Sequence, residues 1–491
     1  MVPLRPHHRD GRPDASGRSG PPARDLADLL VLRGRDGGRL PLAHPQGSGQ
    51  SGEPPRRGRS AGGRRRDLSA GVHRRLQHPT NRKSDWSVNV LILGQRENCR
   101  DYLHYADEHG HTVQFFAPPA LDADDRENWQ RTVADSARSS VDLDTVDEVI
   151  SFHDSYQIQL DLLRAELGLT ARSIDALLCL SDKTRFKAHP AVRDHITRHV
   201  ELDPSLKAPA ALEVVGAAGL SFPIVLKPSN GFYSAGVVKV DTPAEFAKAF
   251  VQTKRVCTLL RQSAGQSTML AEEYLDGNEY AVDGMVSEGR VLALQVHRKL
   301  PPLVGPLFHE VAYLTEPFDP ELGVDFQAML ESIVPAVGLD NSPFHAEFRF
   351  DGQGNLRILE LAPRLCGGGT TTFQQLRICT GLDAYALLHQ LGRGPIAPEP
   401  THHRVALEFD APIEDSGFLR DTARAVEVCE KNDVTTVHLH KQDGDFVLAP
   451  PLNFETVLTA YFARDTREEA EALLAVLISE CTIETEKEKQ S

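Results

Sequence analysis

The segment Phe344-His345-Ala346-Glu347-Phe348-Arg349-Phe350 alternates apolar and polar side chains. Asp351-Gly352-Gln353-Gly354 follows it, and Leu356-Arg357-Ile358-Leu359-Glu360-Leu361 answers it. Alternation of period two, a tight glycine turn and a second apolar run predict an antiparallel hairpin. That pairing allows Glu347 and Glu360 to face the same side of the sheet and lie across from one another. Two opposed carboxylates repel unless a cation lies between them. Hard oxygen ligands suit Mg²⁺. The alternative is a surface arrangement in which both glutamates pair with Arg349 or Arg357, which would contribute little.

Three upstream stretches carry charge in compact form. Ser181-Asp182-Lys183-Thr184-Arg185-Phe186-Lys187 places three cations within five residues. Phe222-Pro223-Ile224-Val225-Leu226-Lys227-Pro228 reads as a strand ending in a lysine. After it come a small-residue loop from Ser229 through Ser234 to Gly236 and a second strand, Val237–Val240. A lysine and backbone N–H groups at the mouth of such a loop can lie over phosphates. Alone, the pattern also describes an ordinary turn, and the GxxxxGK[ST] phosphate loop is absent. Met269–Tyr280 is a strand and turn carrying four carboxylates: Glu272, Glu273, Asp276 and Glu279.

Composition divides the chain sharply. Across 491 residues, 69 acidic and 54 basic side chains give a net charge of -15. Between Met1 and Lys83, however, 17 arginines and one lysine face seven acidic residues, a local balance of +11. Glycine and proline supply 23 of the first 84 residues, too little apolar surface to offset the entropy of ordering them. Residues 1–85 are therefore expected to be disordered. A basic arm, a transit segment and a dispensable extension are all compatible with the composition. The acidic remainder argues against nucleic acid as the main ligand. No run approaches the roughly 18 apolar residues of a membrane span. Seven scattered cysteines without CxxC spacing argue against a disulfide framework and predict a reducing, cytoplasmic setting. Val88–Leu93, a helix through Tyr102 and Tyr105, and Val113–Phe116 predict a βαβ start, without GxGxxG.

In this order, the lysine segment, the strand–Lys–Pro with its loop, Glu272–Leu275, Gly277–Glu279, the two opposed glutamates and Arg364 resemble the ATP-grasp superfamily in its carboxylate–amine ligase branch. The Glu360–Arg364 stretch, the glycines after it and the C-terminal tail are most similar to the L-amino acid ligases. The resemblance implies an α/β (α+β) ATP-grasp fold. Its parts would be a Rossmann-like pre-ATP-grasp domain (86–180), an ATP-grasp domain (181–396) with a central lid near 207–275, and a C-terminal α+β cap (397–491). It implies that Lys183 and Lys227 contact nucleotide phosphates and that the loop bearing Ser229, Ser234 and Gly236 closes over them. Glu272, Glu273, Tyr274 and Leu275 would frame adenine, and Glu279 the ribose. Glu347 and Glu360 would hold one or two Mg²⁺ ions, with Mn²⁺ as a substitute, and Arg364 the acyl phosphate. Many members carry Asn two residues after the second glutamate; here Ala362 stands there and cannot coordinate.

The implied reaction is ATP-dependent joining of a carboxylate, expected to be an amino acid's, to an amine through an acyl phosphate. A catalytically silent nucleotide-binding relative, and a carboxylase-like or purine-pathway ligase, are the alternatives. Arg298 (or Lys299) and Glu310 border the implied acceptor pocket as candidate partners for a substrate carboxylate and ammonium. A solvated loop charge is the competing reading of each. Gly367 and Gly368 offer N–H groups and room. Partners are thus small molecules, with a homodimer common among similar enzymes.

Overall fold

The computed structural model describes residues 87–96, 99–231, 234–264, 267–303, 305–318, 326–434, 436–449 and 456–487. The basic extension 1–85 lies outside the described residues. The first layer is a parallel sheet of β1 (Asn89–Leu93), β2 (Thr112–Phe116) and β3 (Glu148–Ile150), in the order β2-β1-β3. Its central strand is an uninterrupted apolar run buried on both faces, as a parallel strand between helices must be.

A second sheet has the order β4-β7-β5-β6, from β4 (His199–Leu202), β5 (Ile224–Pro228), β6 (Val238–Val240) and β7 (Met269–Glu273). Its apolar face packs on the helices Ala208–Ala217 and Pro243–Ala264 through Leu226, Phe246, Phe250 and Ala271. This unit runs from His199 to Glu273.

The largest sheet contains β8 (Glu279–Ser287), β9 (Arg290–Leu300), β10 (Ala312–Pro317), β11 (Ser342–Phe350), β12 (Leu356–Ala362) and β13 (Val405–Asp410). A small sheet is built on β14 (Gly417–Arg420), β16 (Phe446–Val447) and β18 (Glu484–Glu486); β15 (Thr436–Leu439) and β17 (Leu458–Arg464) instead join the large one. The large sheet has eight strands in the order β12-β11-β8-β9-β10-β13-β17-β15. The C-terminal segment thus supplies three strands to the central sheet, and the 396/397 boundary falls between strands of one continuous structure.

Two glycines show how tightly the hairpin β11–β12 is seated. A Cβ on Gly284 would lie 2.3 Å from the Leu292 carbonyl oxygen and 2.4 Å from the Phe344 ring. On Gly277 it would meet the Phe350 Cβ at 2.6 Å. The first layer is tied to the hairpin by Arg172, which is almost fully buried. Its Nε donates to Asp161 Oδ2 at 2.8 Å, its Nη1 to Ser342 Oγ at 3.0 Å and the Pro363 carbonyl at 2.7 Å, and its Nη2 to Gln157 Oε1 at 2.8 Å. Removing one partner of a buried ion pair leaves the other charge uncompensated. Arg172→Met is therefore expected to lower unfolding stability by about 3–5 kcal/mol, read by chaotrope titration. A change within experimental error would show that Asp161 needs no partner.

Candidate active site

In the antiparallel register of β11 and β12, Glu347 is paired directly with Glu360, and a bulge follows between Glu347 and Phe348. Directly opposed residues share a face, with Cβ atoms roughly 5 Å apart. Neither carboxylate pairs with Arg349 or Arg357, the surface alternative. Lys183 Nζ lies 2.9 Å from Glu360 Oε2, and Lys299 Nζ 2.8 Å from Glu347 Oε1. Arg357 instead turns back to Asp351 at 3.1 Å.

Lys183 is the first residue of the helix Lys183–Ala188, whose N-cap, Asp182, accepts from the Thr184 and Arg185 N–H groups. The Lys183 amide donates to the Ser229 carbonyl at 2.7 Å and its Nζ to the Gly231 carbonyl at 3.1 Å. The lysine is thus fixed to the loop after β5 at both ends. Burial would lower its pKa, but Glu360 carries it above the ordinary value.

Around Lys299 the geometry is closed. Its Nζ lies 2.7 Å from Glu279, 2.5 Å from Glu310 and 2.8 Å from Glu347. Glu279 also faces Arg349 Nε at 3.4 Å, and Tyr313 donates to Glu310. Burial opposes the charge on Lys299, yet the three carboxylates hold its pKa well above the ordinary value. Sequence left the stretch around Lys299 between pocket and solvated loop; it is instead the buried end of β9. Period-two alternation decides which cation enters the site. Lys299 and His297 face the glutamates, whereas Arg298 points to the other face and pairs with Glu471 at 2.8 Å. Arg298, a candidate substrate ligand by sequence, therefore lies apart from this cluster, in a pocket shared with Tyr280, Glu316 and Arg467. Glu310 lies within it.

Beneath the glutamates sits Asp283, wholly buried. It accepts from His297 Nε2 at 2.8 Å, His345 Nδ1 at 2.8 Å and Thr372 Oγ1 at 2.7 Å. His345 Nε2 in turn lies 3.5 Å from Glu347. One carboxylate so connects β8, β9, β11 and the helix Thr370–Thr380. Sequence reading missed Asp283 and His345; the signal was the polar side chain at every second position of otherwise apolar strands. Cys366 is also buried here, and burial pushes its thiol above the ordinary range, against a nucleophilic role.

The strand β7 divides its two glutamates. Glu272 turns inward, between Lys227 Nζ at 2.9 Å and Lys187 Nζ at 3.3 Å. Burial opposes its charge, but the two lysines bring its pKa down to about 2. Burial, only partly countered by Glu272, brings Lys187 down to about 8. Glu273 turns outward to Arg198 at 3.0 Å, away from this cluster. Tyr274 lies beside Lys239, whose Nζ is 4.4 Å from the ring centroid, and Leu275 is buried. In the loop after β5, the Ser229 hydroxyl is spent on Asp182 at 3.3 Å. Ser234 and Gly236 have left-handed backbones, and a Cβ on Gly236 would lie 2.9 Å from Val256 Cβ. Phe232 and Tyr233 fall outside the described residues.

Arg364 leaves β12 toward the first layer. Its Nε donates to Asp154 Oδ1 at 2.8 Å and its Nη1 to the Leu365 carbonyl at 3.2 Å. Burial works against its charge, and Asp154 more than restores it. Gly367 and Gly368 follow in left-handed conformations, and a Cβ on Gly368 would meet nothing within 4 Å. Glu347 and Glu360, paired in register and each met by a lysine, offer hard carboxylate oxygens that suit a divalent ion such as Mg²⁺.

Residues 220–373 match the ATP-grasp domain. The ATP-grasp enzyme fsqD of Aspergillus fumigatus is 24% identical over 296 residues, which are 56% of this chain and 47% of that protein, so the chain spans about half the length of this relative. The L-arginine-specific L-amino acid ligase of Bacillus subtilis is 20% identical over 334 residues, 67% of this chain and 78% of the relative. Among solved structures, the L-amino acid ligase from Bacillus licheniformis superposes with a TM-score of 0.68 at 22% identity, covering 82% of this chain and 99% of that one. Carboxyaminoimidazole ribonucleotide synthase from Aspergillus clavatus, complexed with ATP, gives 0.58 at 18% identity, covering 80% and 98%. The chain therefore carries an ATP-grasp domain, on a fold shared with the L-amino acid ligases.

Proposed function

We propose that this chain is an ATP-dependent carbon–nitrogen ligase that phosphorylates an amino-acid carboxylate and joins the resulting acyl phosphate to an amine, releasing ADP and phosphate. The observation that carries the reading is the direct pairing of Glu347 with Glu360 beside Lys183 and Lys299. A divalent ion between these glutamates would neutralise phosphate charge in the transfer. Lys183, at the start of its helix, and Lys227, near the end of β5, are the chain's own cations for the β- and γ-phosphates. Phosphoryl transfer asks for positioning and charge neutralisation more than for a covalent catalyst, in keeping with a site that offers ion pairs and no activated nucleophile. Arg364, paired with Asp154, is the candidate to hold the acyl phosphate and the oxyanion that forms when the amine attacks. Glu310 is the candidate partner for a substrate ammonium, and the open space at Gly368 leaves room for a side chain. The fit to the L-amino acid ligase structure, over 82% of this chain, supports this reading over a purine-pathway one, whose representatives superpose less closely.

Phosphate release with ATP, Mg²⁺ and pairs of amino acids is the direct assay. Release is expected only when both a carboxylate and an amine are present, and Glu360→Ala is expected to reduce it at least about a hundredfold, the scale for losing an electrostatic group of this kind. Circular dichroism should stay that of the wild type. Near-normal turnover in the variant would overturn the metal assignment.

A proton should accompany nucleotide binding. Lys187 has a pKa of about 8 in the empty site, so it is largely neutral at a slightly higher pH. A triphosphate at Lys227 adds negative charge nearby and raises that pKa. Binding of a non-hydrolysable ATP analogue at about pH 8.5 should therefore take up as much as about half a proton, and almost none at about pH 7, where Lys187 is already charged. Calorimetry in buffers of different ionisation enthalpy measures this. Lys187→Met should abolish the uptake; uptake unchanged in that variant would assign it elsewhere.

A further inference from the structure

We propose that Lys299 is a built-in cation that holds the place of a second divalent ion, so that the site takes one ion rather than two. The inference rests on the nucleotide–metal reading above. Glu279 from β8, Glu310 from the segment before β10 and Glu347 from β11 bring carboxylate oxygens within 4.8 Å of one another, close enough to share one cation. Three convergent carboxylates cannot stay charged together without such a cation.

The chain supplies the ion itself. Lys299 Nζ lies 2.7, 2.5 and 2.8 Å from the three. The ammonium donates to Glu310 and Glu347 and stands in ion-pair contact with Glu279, so its one charge is shared by all three carboxylates. Lys299 is 2% exposed and enters from β9, where it is paired with Tyr313 of β10, so it is held in place by the sheet.

Lys183, the other lysine on this pair of glutamates, differs in kind. It meets one carboxylate and one backbone carbonyl and lies at the edge of the cleft, where it can reach a ligand. Ala362 supplies a separate argument. It stands opposite His345 in the register, is buried, and offers no oxygen beside Glu360. With that donor missing on one side and Lys299 saturating the carboxylates on the other, one place for a divalent ion remains, between Glu347 and Glu360.

The test counts ions. Full-length protein is equilibrated with excess Mn²⁺ and a non-hydrolysable ATP analogue, and bound Mn²⁺ is measured by paramagnetic resonance after dialysis. Wild type and Lys299→Arg should each hold one ion per chain. Lys299→Met frees the three carboxylates and should double the count to two. Two ions in the wild type, or one in a folded Lys299→Met, would overturn the inference while leaving the nucleotide–metal reading intact. No bound ion in the wild type would overturn that reading, and the inference with it. Should Lys299→Met fail to fold, Ala362→Asn serves in its place. Restoring the side-chain oxygen should leave the count at one as long as Lys299 is present, and a count of two would sink the idea.

Discussion

Repulsion between two carboxylates fixed opposite each other on adjacent strands is the constraint that the rest of this structure answers. The register of β11 and β12 makes the approach unavoidable, and burial deepens its cost because charge is poorly screened there. Each glutamate is met by a lysine from a different element: Lys183 from the helix Lys183–Ala188, Lys299 from β9, two strands from β11 in the same sheet. The first pair ties that helix, and through the Lys183 amide the loop after β5, to the large sheet. Neither lysine needs to be there for packing alone, since both bury a long stem whose head group would be expensive without a partner.

A second layer of polar contacts keeps those partners in place. Asp283 takes hydrogen bonds from two histidines and a threonine; burial raises its carboxyl, but the two histidines outweigh burial and leave it well below the usual range. A fully satisfied buried network of this kind fixes a single arrangement of strands; with one member missing it would be worse than an apolar core. The bulge beside Asp283 and the one after Glu347 lie on neighbouring strands. Both sit beside the buried polar cluster of Asp283, His345 and Glu347, and such irregularities re-aim side chains.

Much of this was legible in the sequence because it depends on local rules. Alternation and a glycine turn predicted the hairpin and the shared face of Glu347 and Glu360, and a strand closed by Lys227-Pro228 predicted the lysine at a loop mouth. What was not legible depends on pairing across distance. Val296–Leu300 carries two adjacent cations and two prolines just beyond, which reads locally as a charged loop. Only its pairing with β8 and β10 makes it a strand, and only then does alternation separate Lys299 from Arg298. The same rule divided Glu272 from Glu273 on β7, which sequence had grouped together. Asp283 looks like a lone polar residue among apolar neighbours, and His345 like one more polar position of an alternating strand, until the register brings them side by side.

The first layer is more than an attachment to the nucleotide fold. Three of its side chains reach the segment that leaves the glutamate hairpin or the helices after it. Gln157 and Asp161 hold Arg172 against the Pro363 carbonyl, Asp154 holds Arg364, and Glu148 holds His389 at 2.8 Å. Pro363 and Arg364 come directly after β12, so whatever fixes them also fixes the last residues of the strand that carries Glu360. A guanidinium on a flexible stem would otherwise sample many rotamers. Anchored by a carboxylate from the turn after β3, it is held in one direction. The geometry at the end of the glutamate hairpin is therefore a property of the first layer and the large sheet together.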